Sequence, residues 1–254
     1  MVMRIILSPA KKMKEDLDGP APLGLPRYLE RTQQLLAYLR GLDLPALRKL
    51  LACNEQIAQL NYERFQHMDL RRGLTPALLA YEGIQYRYMA PAVFTSRELA
   101  YVQEHLFLLS GFYGILRPFD GVVPYRLEMQ AKLRTDFCRD LYGFWGGSLA
   151  AALEGTDILL NLASEEYAKA VLPHLPPEVQ VVTPVFGQLL PDGRVVEKGV
   201  YVKMARGEMV RFLAEAAAES PEALSAFDRL DFRYCPERSS PGHPVFLKAP
   251  EDTA

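Results

Sequence analysis

Short apolar runs of strand character recur in this chain without a steady strand–helix alternation, and that irregular interleaving constrains its fold more than any single residue does. Met3–Ser8 is a branched apolar run ended by Pro9, which cannot donate to a strand ladder. It predicts a short buried strand with Lys11 and Lys12 just past its end. Asp157–Leu162 predicts a second buried strand. Val179–Phe186 and Gly193–Lys203 predict two more, joined around the turn signal Pro191-Asp192-Gly193, and Phe232–Tyr234 and Val245–Leu247 predict the last.

Helical spacing fills the intervals. Tyr28, Leu35, Leu36 and Leu39 keep it from Arg27 to Arg40, with Gly41 as the stop. Asp43 caps a helix through Leu51, with Pro45 in its first turn. After a break at Ala52–Glu55 a further helix carries Ile57, Leu60, Arg64 and Phe65 on one side. Such a helical hairpin either packs only or presents backbone amides and Arg side chains to a phosphate backbone. Thr75-Pro76 opens another helix, Tyr81–Tyr88 is a Gly-broken aromatic run, and Thr95 to Glu98 spell a capping box before Leu99, Val102 and Leu106. Ser164 caps a helix over Glu165–Val171. Met204–Ala218 is helical with Met209, Phe212, Leu213 and Ala216 inward, and Ser220-Pro221 caps one more. The expected fold is α+β, an unusual mixed sheet flanked by helices, in one domain over residues 1–254.

With 254 residues and 49% hydrophobic content, the chain can bury a core without disulfides or a metal. No apolar stretch approaches the roughly 20 residues that span a bilayer, and Ile5-Ile6-Leu7 is too short for a signal-peptide core. A cytoplasmic protein without a membrane partner is expected. Cys53, Cys138 and Cys235 lie far apart without CxxC spacing, so they read as buried or idle thiols. The net charge of −2 argues against a strongly basic nucleic-acid binder, but its distribution is uneven. Arg4, Lys11, Lys12 and Lys14 precede the first acid, and Arg194, Lys198, Lys203, Arg206 and Arg211 face only Glu197 and Glu208 in their segment. Converging in space, these segments would make one face attractive to phosphates.

Two stretches carry candidate chemistry. Leu109-Ser110-Gly111-Phe112-Tyr113-Gly114-Ile115-Leu116-Arg117-Pro118 continues to Pro124-Tyr125-Arg126-Leu127-Glu128-Met129. The glycines allow close backbone approach, the prolines stiffen the path, and Arg117 and Arg126 offer donor forks to phosphate or carboxylate. The structural alternative is a rigid loop with Arg126 paired to Glu128. The second stretch, Asn161 to Lys169, feeds a strand end into a helix start. There Ser164 and Asn161 hold an anion, or Glu165 and Glu166 satisfy the helix dipole themselves. Lys203 and Arg206 are placed to meet the same anion. No GxGxxG, Walker loop, HExxH or GxSxG motif occurs, and His67, His105, His174 and His243 form no ligand spacing. Neither a metal nor a cofactor is expected.

These residues resemble the YaaA family of peroxide-stress proteins. The likeness runs through Leu7–Lys11, Leu60-Asn61 with Arg64-Phe65, Gly83 with Tyr86, Leu109–Pro118 and Pro124–Met129. It continues in Leu141-Tyr142 with Phe144-Trp145, Asn161–Tyr167 with Lys169, Pro184–Phe186, Ala205–Gly207 with Met209 and Arg211-Phe212, and Val245-Phe246. The resemblance implies a bacterial cytoplasmic protein that limits oxidative damage by restraining free intracellular iron. It also implies an unusual α+β fold with a helix-hairpin-helix element, a positively charged cleft and binding to double-stranded or distorted DNA. Met204 stands where a second basic residue is common, Gln130 where glycine is usual, and Tyr88 where a small residue follows Tyr86, which weakens the basicity of the cleft here.

Two functions follow. One is a DNA-binding protective protein whose nucleic-acid or anion contacts are Lys11, Arg117, Arg126, Asn161, Ser164, Lys169, Lys203 and Arg206. The other is an enzyme acting on a nucleobase or nucleotide, with Tyr125, Glu128, Asn161, Ser164 and Lys169 as its pocket. The first needs Lys11, Arg117, Arg126, Lys169, Lys203 and Arg206 on one concave surface. A cleft too narrow for a duplex, with Glu128 against Lys169 or Arg126, favours the second. Direct iron storage is disfavoured, because no His/carboxylate set of the di-iron kind is visible.

Overall fold

The opening apolar run forms the expected strand and takes the middle of the main sheet, because neighbours on both sides let a strand with no polar face be buried. The computed structural model describes residues 1–249; the last five residues of the domain expected over 1–254 lie outside the described residues. In chain order the elements are β1 (Met3–Leu7), β2 (Lys12–Met13), α1 (Leu29–Arg40), α2 (Leu44–Leu51), α3 (Glu55–His67), β3 (Thr75–Pro76), α4 (Ala77–Ala80), β4 (Tyr81–Glu82), α5 (Ile84–Met89), α6 (Ser96–His105) and β5 (Leu106–Ser110). They continue with β6 (Gly114–Leu116), β7 (Gly121–Val122), α7 (Leu141–Trp145), α8 (Ser148–Ala151), β8 (Ile158–Leu162), α9 (Glu165–Ala168), β9 (Gln180–Val182), β10 (Val185–Leu189), β11 (Val195–Val196), α10 (Gly199–Ala216), β12 (Phe232–Tyr234) and β13 (Val245–Lys248).

The fold is α+β, with mixed sheets flanked by helices. The main sheet has the order β6-β5-β1-β8-β9, with β1 parallel to β5 and β8, β8 parallel to β9, and β6 antiparallel at one edge. Ile5 stands opposite Leu106 on one side and Leu160 on the other. Every residue of β5 and β8 is buried, which is why both read as continuous apolar runs rather than alternating ones. A second sheet, β11-β10-β13-β12, packs Phe186 and Phe246 against Phe227, with Phe232 edge-on to Phe186. One buried apolar cluster runs from Met3 to Phe246. No helix among the described residues is long and apolar enough to cross a membrane.

From β1 the chain passes to β5 on one side, while β8 continues to β9 on the other. The connections therefore leave β1 and β8 in opposite directions, and a crevice opens between their carboxyl ends, the usual place for a ligand in an open parallel sheet.

Several elements differ from the sequence expectation. β5 follows α6 with no turn residue between them, so Leu106 both ends the helix and starts the strand; helical periodicity alone absorbs it. Val179–Phe186 is two strands, split at Thr183-Pro184, and they belong to different sheets. The turn at Asp192-Gly193 joins β10 to β11 as expected, but α10 begins at Gly199, so Lys203 stands on a helix. Thr75-Pro76 pairs with Val122 and Gly121 before α4 starts, the helix after Ser164 stops at Ala168, and Pro221–Ala226 is a 3-10 segment. The hairpin of α2 and α3 forms, with Asp43 Oδ1 accepting the Ala46 amide and Asn54 Oδ1 the Ile57 amide, each at 2.9 Å. Its second helix buries Ala58, Asn61 and Phe65, while Leu60 is exposed.

Candidate functional site at the carboxyl ends of two parallel strands

β1 ends at Leu7, and Ser8 stands just past it, before Pro9. Ser8 Oγ accepts the backbone amide of Ser164, the residue beyond the β8 strand end, at 2.8 Å, and the two hydroxyls lie 3.2 Å apart. The Ser8 carbonyl accepts from Gln85 Nε2 and from the Tyr86 hydroxyl, both at 3.0 Å. One residue thus ties β1, β8 and α5 together at the crevice. Ser164 makes no side-chain cap on α9; its hydroxyl is turned to Ser8 instead.

α10 lies across α5, and Gly207 permits that approach: a Cβ there would overlap the Gln85 carbonyl oxygen. The crossing sets Lys203, one helical turn before Gly207, and Arg206, the residue next to it, against the crevice. A cavity of about 410 Å³ results, lined by Ser8, Lys11, Lys12, Tyr86, Ser164, Lys203 and Arg206 among others. Arg206 is half-buried, and its guanidinium is pulled down from its ordinary range by burial, with Glu197 opposing. Neither Lys203 nor Arg206 has a carboxylate within 4.0 Å. For Arg206, a burial cost with no carboxylate in contact is the condition of a cation that waits for an anion, while Lys203 stands exposed beside it.

The opposite wall is the Pro124–Met129 segment. It can lie against the β5 turn because Gly111 has no side chain; a Cβ there would overlap the Leu127 carbonyl oxygen. Glu128, mostly buried, places Oε1 3.0 Å from Arg126 Nη2 and 3.1 Å from Lys11 Nζ. That oxygen accepts no hydrogen bond and Arg126 Nε has no partner, so the attachment is electrostatic and leaves donor capacity free. Glu166 and Glu82 also reach the cavity, which therefore holds five basic and three acidic side chains. Burial raises the Glu166 carboxyl, which accepts the Gln130 amide at 3.2 Å.

Behind this wall the Tyr125 hydroxyl sits between Ser110 Oγ at 2.5 Å and the Tyr81 hydroxyl at 2.8 Å. Burial pushes Tyr125 up to about 12 and holds Tyr81, Tyr86 and Tyr167 well above the ordinary phenol range. All four stay neutral at physiological pH, serving as donors and apolar walls rather than bases.

Of the residues singled out from sequence, Lys11, Tyr125, Arg126, Glu128, Ser164, Lys203 and Arg206 meet in this cavity. Three do not. Arg117 lies by the other end of the sheet, its guanidinium over the Phe107 ring and bonded to the Gln103 carbonyl. Lys169 is exposed and pairs with Glu165 at 2.6 Å. Asn161 is buried, bracing the strand end through the Ala163 amide and the Thr183 hydroxyl. Ser8, Gln85, Tyr86, Glu166 and Gly207 were not singled out as site residues from sequence, although Ser8, Tyr86, Glu166 and Gly207 fall in the family-like stretches.

Comparison with known proteins gives the same relationship along the chain. The family model described as peroxide stress protein YaaA matches residues 3–238. A UPF0246 protein of Desulfitobacterium hafniense is 56% identical over 248 residues, covering 97% of this chain and 98% of that one. UPF0246 proteins of Lachnoclostridium phytofermentans and Pediococcus pentosaceus are 50% and 49% identical over 247 residues, each covering 97% of this chain and 96% and 98% of their own.

Proposed function

The chain belongs to the peroxide stress protein YaaA family, and from that premise we propose that it binds double-stranded or distorted DNA in the cytoplasm, protecting it from peroxide damage and helping to limit free intracellular iron. The observation that carries the DNA contact is the pair Lys203 and Arg206, two cations without a counter-ion that line a cavity at the carboxyl ends of β1 and β8. Phosphate is the anion a nucleic acid offers, and the Ser8 and Ser164 hydroxyls beside it add neutral donors. The basic cleft of this reading is the same cavity. Its volume suits one nucleotide rather than a duplex, so the DNA it receives has a nucleotide displaced from the stack. The α2–α3 hairpin, with Arg48 and Lys49 in the last turn of its first helix, supplies the helix-hairpin-helix contact to the intact backbone alongside.

The test is a gel shift with a perfect duplex and one carrying a single unpaired nucleotide. Tighter binding of the second, weakened about tenfold by Arg206→Gln, is expected from the loss of one charge-assisted contact. Equal and unaffected binding of both duplexes would remove the cavity from DNA recognition.

A second reading has a specific observation in its favour. The cavity is too small for a duplex and holds Glu128 against Arg126, which favours an enzyme acting on a nucleobase or nucleotide. In that reading Glu128 is the general base or the partner of a sugar hydroxyl, with Ser164 and Tyr125 nearby and Lys169 and Asn161 outside the reacting volume.

A further inference from the structure

A second cavity, of about 400 Å³, opens by the amino ends of β1 and β8. It is roughly 13 Å along β1 from Ser8, counted as four residues of extended strand. Three guanidinium groups line it: Arg4 from β1, Arg117 from just after β6, and Arg27 from the segment before α1. None of the three has a carboxylate oxygen within 4.0 Å, although Asp120 and Glu154 line the same space. Asp120 Oδ2 is engaged by the Arg117 backbone amide at 2.8 Å, and its charge partly offsets the burial of the Arg117 guanidinium without forming an ion pair.

Arg4 and Arg117 are held in place by the fold. Their guanidinium carbons stand 5.4 Å and 4.9 Å from the centre of the Phe107 ring. Arg4 Nη1 donates to the Glu154 carbonyl at 3.0 Å, and Arg117 Nη2 to that of Gln103. Two cations sharing one aromatic ring repel each other, and Arg4 is among the groups that hold Arg117 below its ordinary range, after burial itself. Arg117 Nε is buried with no partner at all. Arg27 is exposed at the rim. Buried cations are ordinarily paired, and a rigid pair of planar forks with a third at the mouth matches an anion with several oxygens and more than one charge.

We propose that this cavity is a second ligand site, separate from the one at the carboxyl ends of β1 and β8, that binds a small diphosphate through Arg4, Arg27 and Arg117. The diphosphate is either free or carried on a nucleotide. In the proposed complex one phosphate meets the fixed pair and the other the rim arginine, and an attached group lies along the apolar wall at Leu116 and Ala152.

The test is calorimetric titration of the full chain carrying Lys203→Gln and Arg206→Gln, so that the cavity at the carboxyl ends of β1 and β8 contributes no phosphate binding. Inorganic pyrophosphate and ADP are the probes. Saturable binding at one site per chain is expected, weakened about tenfold by either Arg4→Gln or Arg27→Gln, the loss of one charge-assisted contact. Arg27 is exposed, so its variant retains the fold if Arg4→Gln does not, and thermal melting checks both. ADP binding more tightly than pyrophosphate identifies a nucleotide as the source; equal affinity identifies the diphosphate group alone. Absence of saturable binding, or affinities untouched by both substitutions, would overturn the proposal. So would a loss of duplex-DNA affinity in the Arg4 and Arg27 variants without any pyrophosphate binding, which would assign the arginines to the DNA backbone.

Discussion

Ser8 Oγ accepts the Ser164 amide at 2.8 Å, so the carboxyl ends of two neighbouring parallel strands are joined by a single side chain. Ser8→Ala removes the acceptor and leaves a half-buried amide unpaired, at a cost of about 1 kcal/mol. Chemical denaturation is expected to show that loss with an unchanged denaturant slope. An unaltered midpoint would mean that the two ends are held by the strand ladder alone.

Glu128 separates holding phosphates from chemistry. Its carboxylate lies against both Arg126 and Lys11, so Glu128→Gln frees two cations while keeping the side chain's size. If the residue only orients Arg126, DNA affinity holds or rises slightly, and protection of cells from peroxide survives. Lost protection with normal folding and normal DNA binding would favour the enzyme reading.

Gly207 allows α10 to lie on α5. Gly207→Ala drives a methyl group into the Gln85 carbonyl and is expected to destabilise the chain by about 1–3 kcal/mol, the range of overpacked cores. It also displaces Arg206, so DNA affinity falls with stability. A variant with wild-type melting temperature would show that the helices can slide apart freely.

Asp120 gives a pH signature. Burial pushes its carboxyl from 3.8 up to about 6, against the lowering effects of the Arg117 amide and guanidinium. The folded chain therefore holds this proton more tightly than the unfolded one. Its stabilising share is complete below about pH 4 and is lost as the pH rises to about 6, amounting to about 3 kcal/mol. Asp120→Asn keeps an acceptor for the Arg117 amide and removes the titration. The stability difference between variant and wild type is expected to grow in the variant's favour between pH 4 and 6, and a difference constant over that range would contradict the assignment.

The α+β class and the strands around Met3–Leu7 and Ile158–Leu162 were legible in the sequence because fully buried parallel strands are continuous apolar runs. So were the caps at Asp43 and Thr95, where the signal is local: Thr95 and Glu98 exchange side-chain and backbone bonds as their spacing predicts. β5 was hidden because no Gly or Pro separates it from α6, and α10 was entered late because Val200 and Val202 suit a strand as well as a helix. Basic residues at loop and strand ends marked out Lys11, Arg126, Lys203 and Arg206. That rule cannot tell which end of the sheet a loop joins. Arg117 follows an antiparallel edge strand, so it emerges at the opposite end from Ser8 and Ser164.

Contact of Lys203 and Arg206 with DNA phosphates, as proposed, is tested most directly by the salt dependence of duplex binding. Each phosphate neutralised on B-DNA contributes a slope of about −0.9 to the logarithm of the binding constant against that of salt concentration. The Lys203→Gln/Arg206→Gln chain is predicted to bind more weakly at low salt, with a slope shallower by about 2. The same affinity and the same slope as wild type would contradict the account.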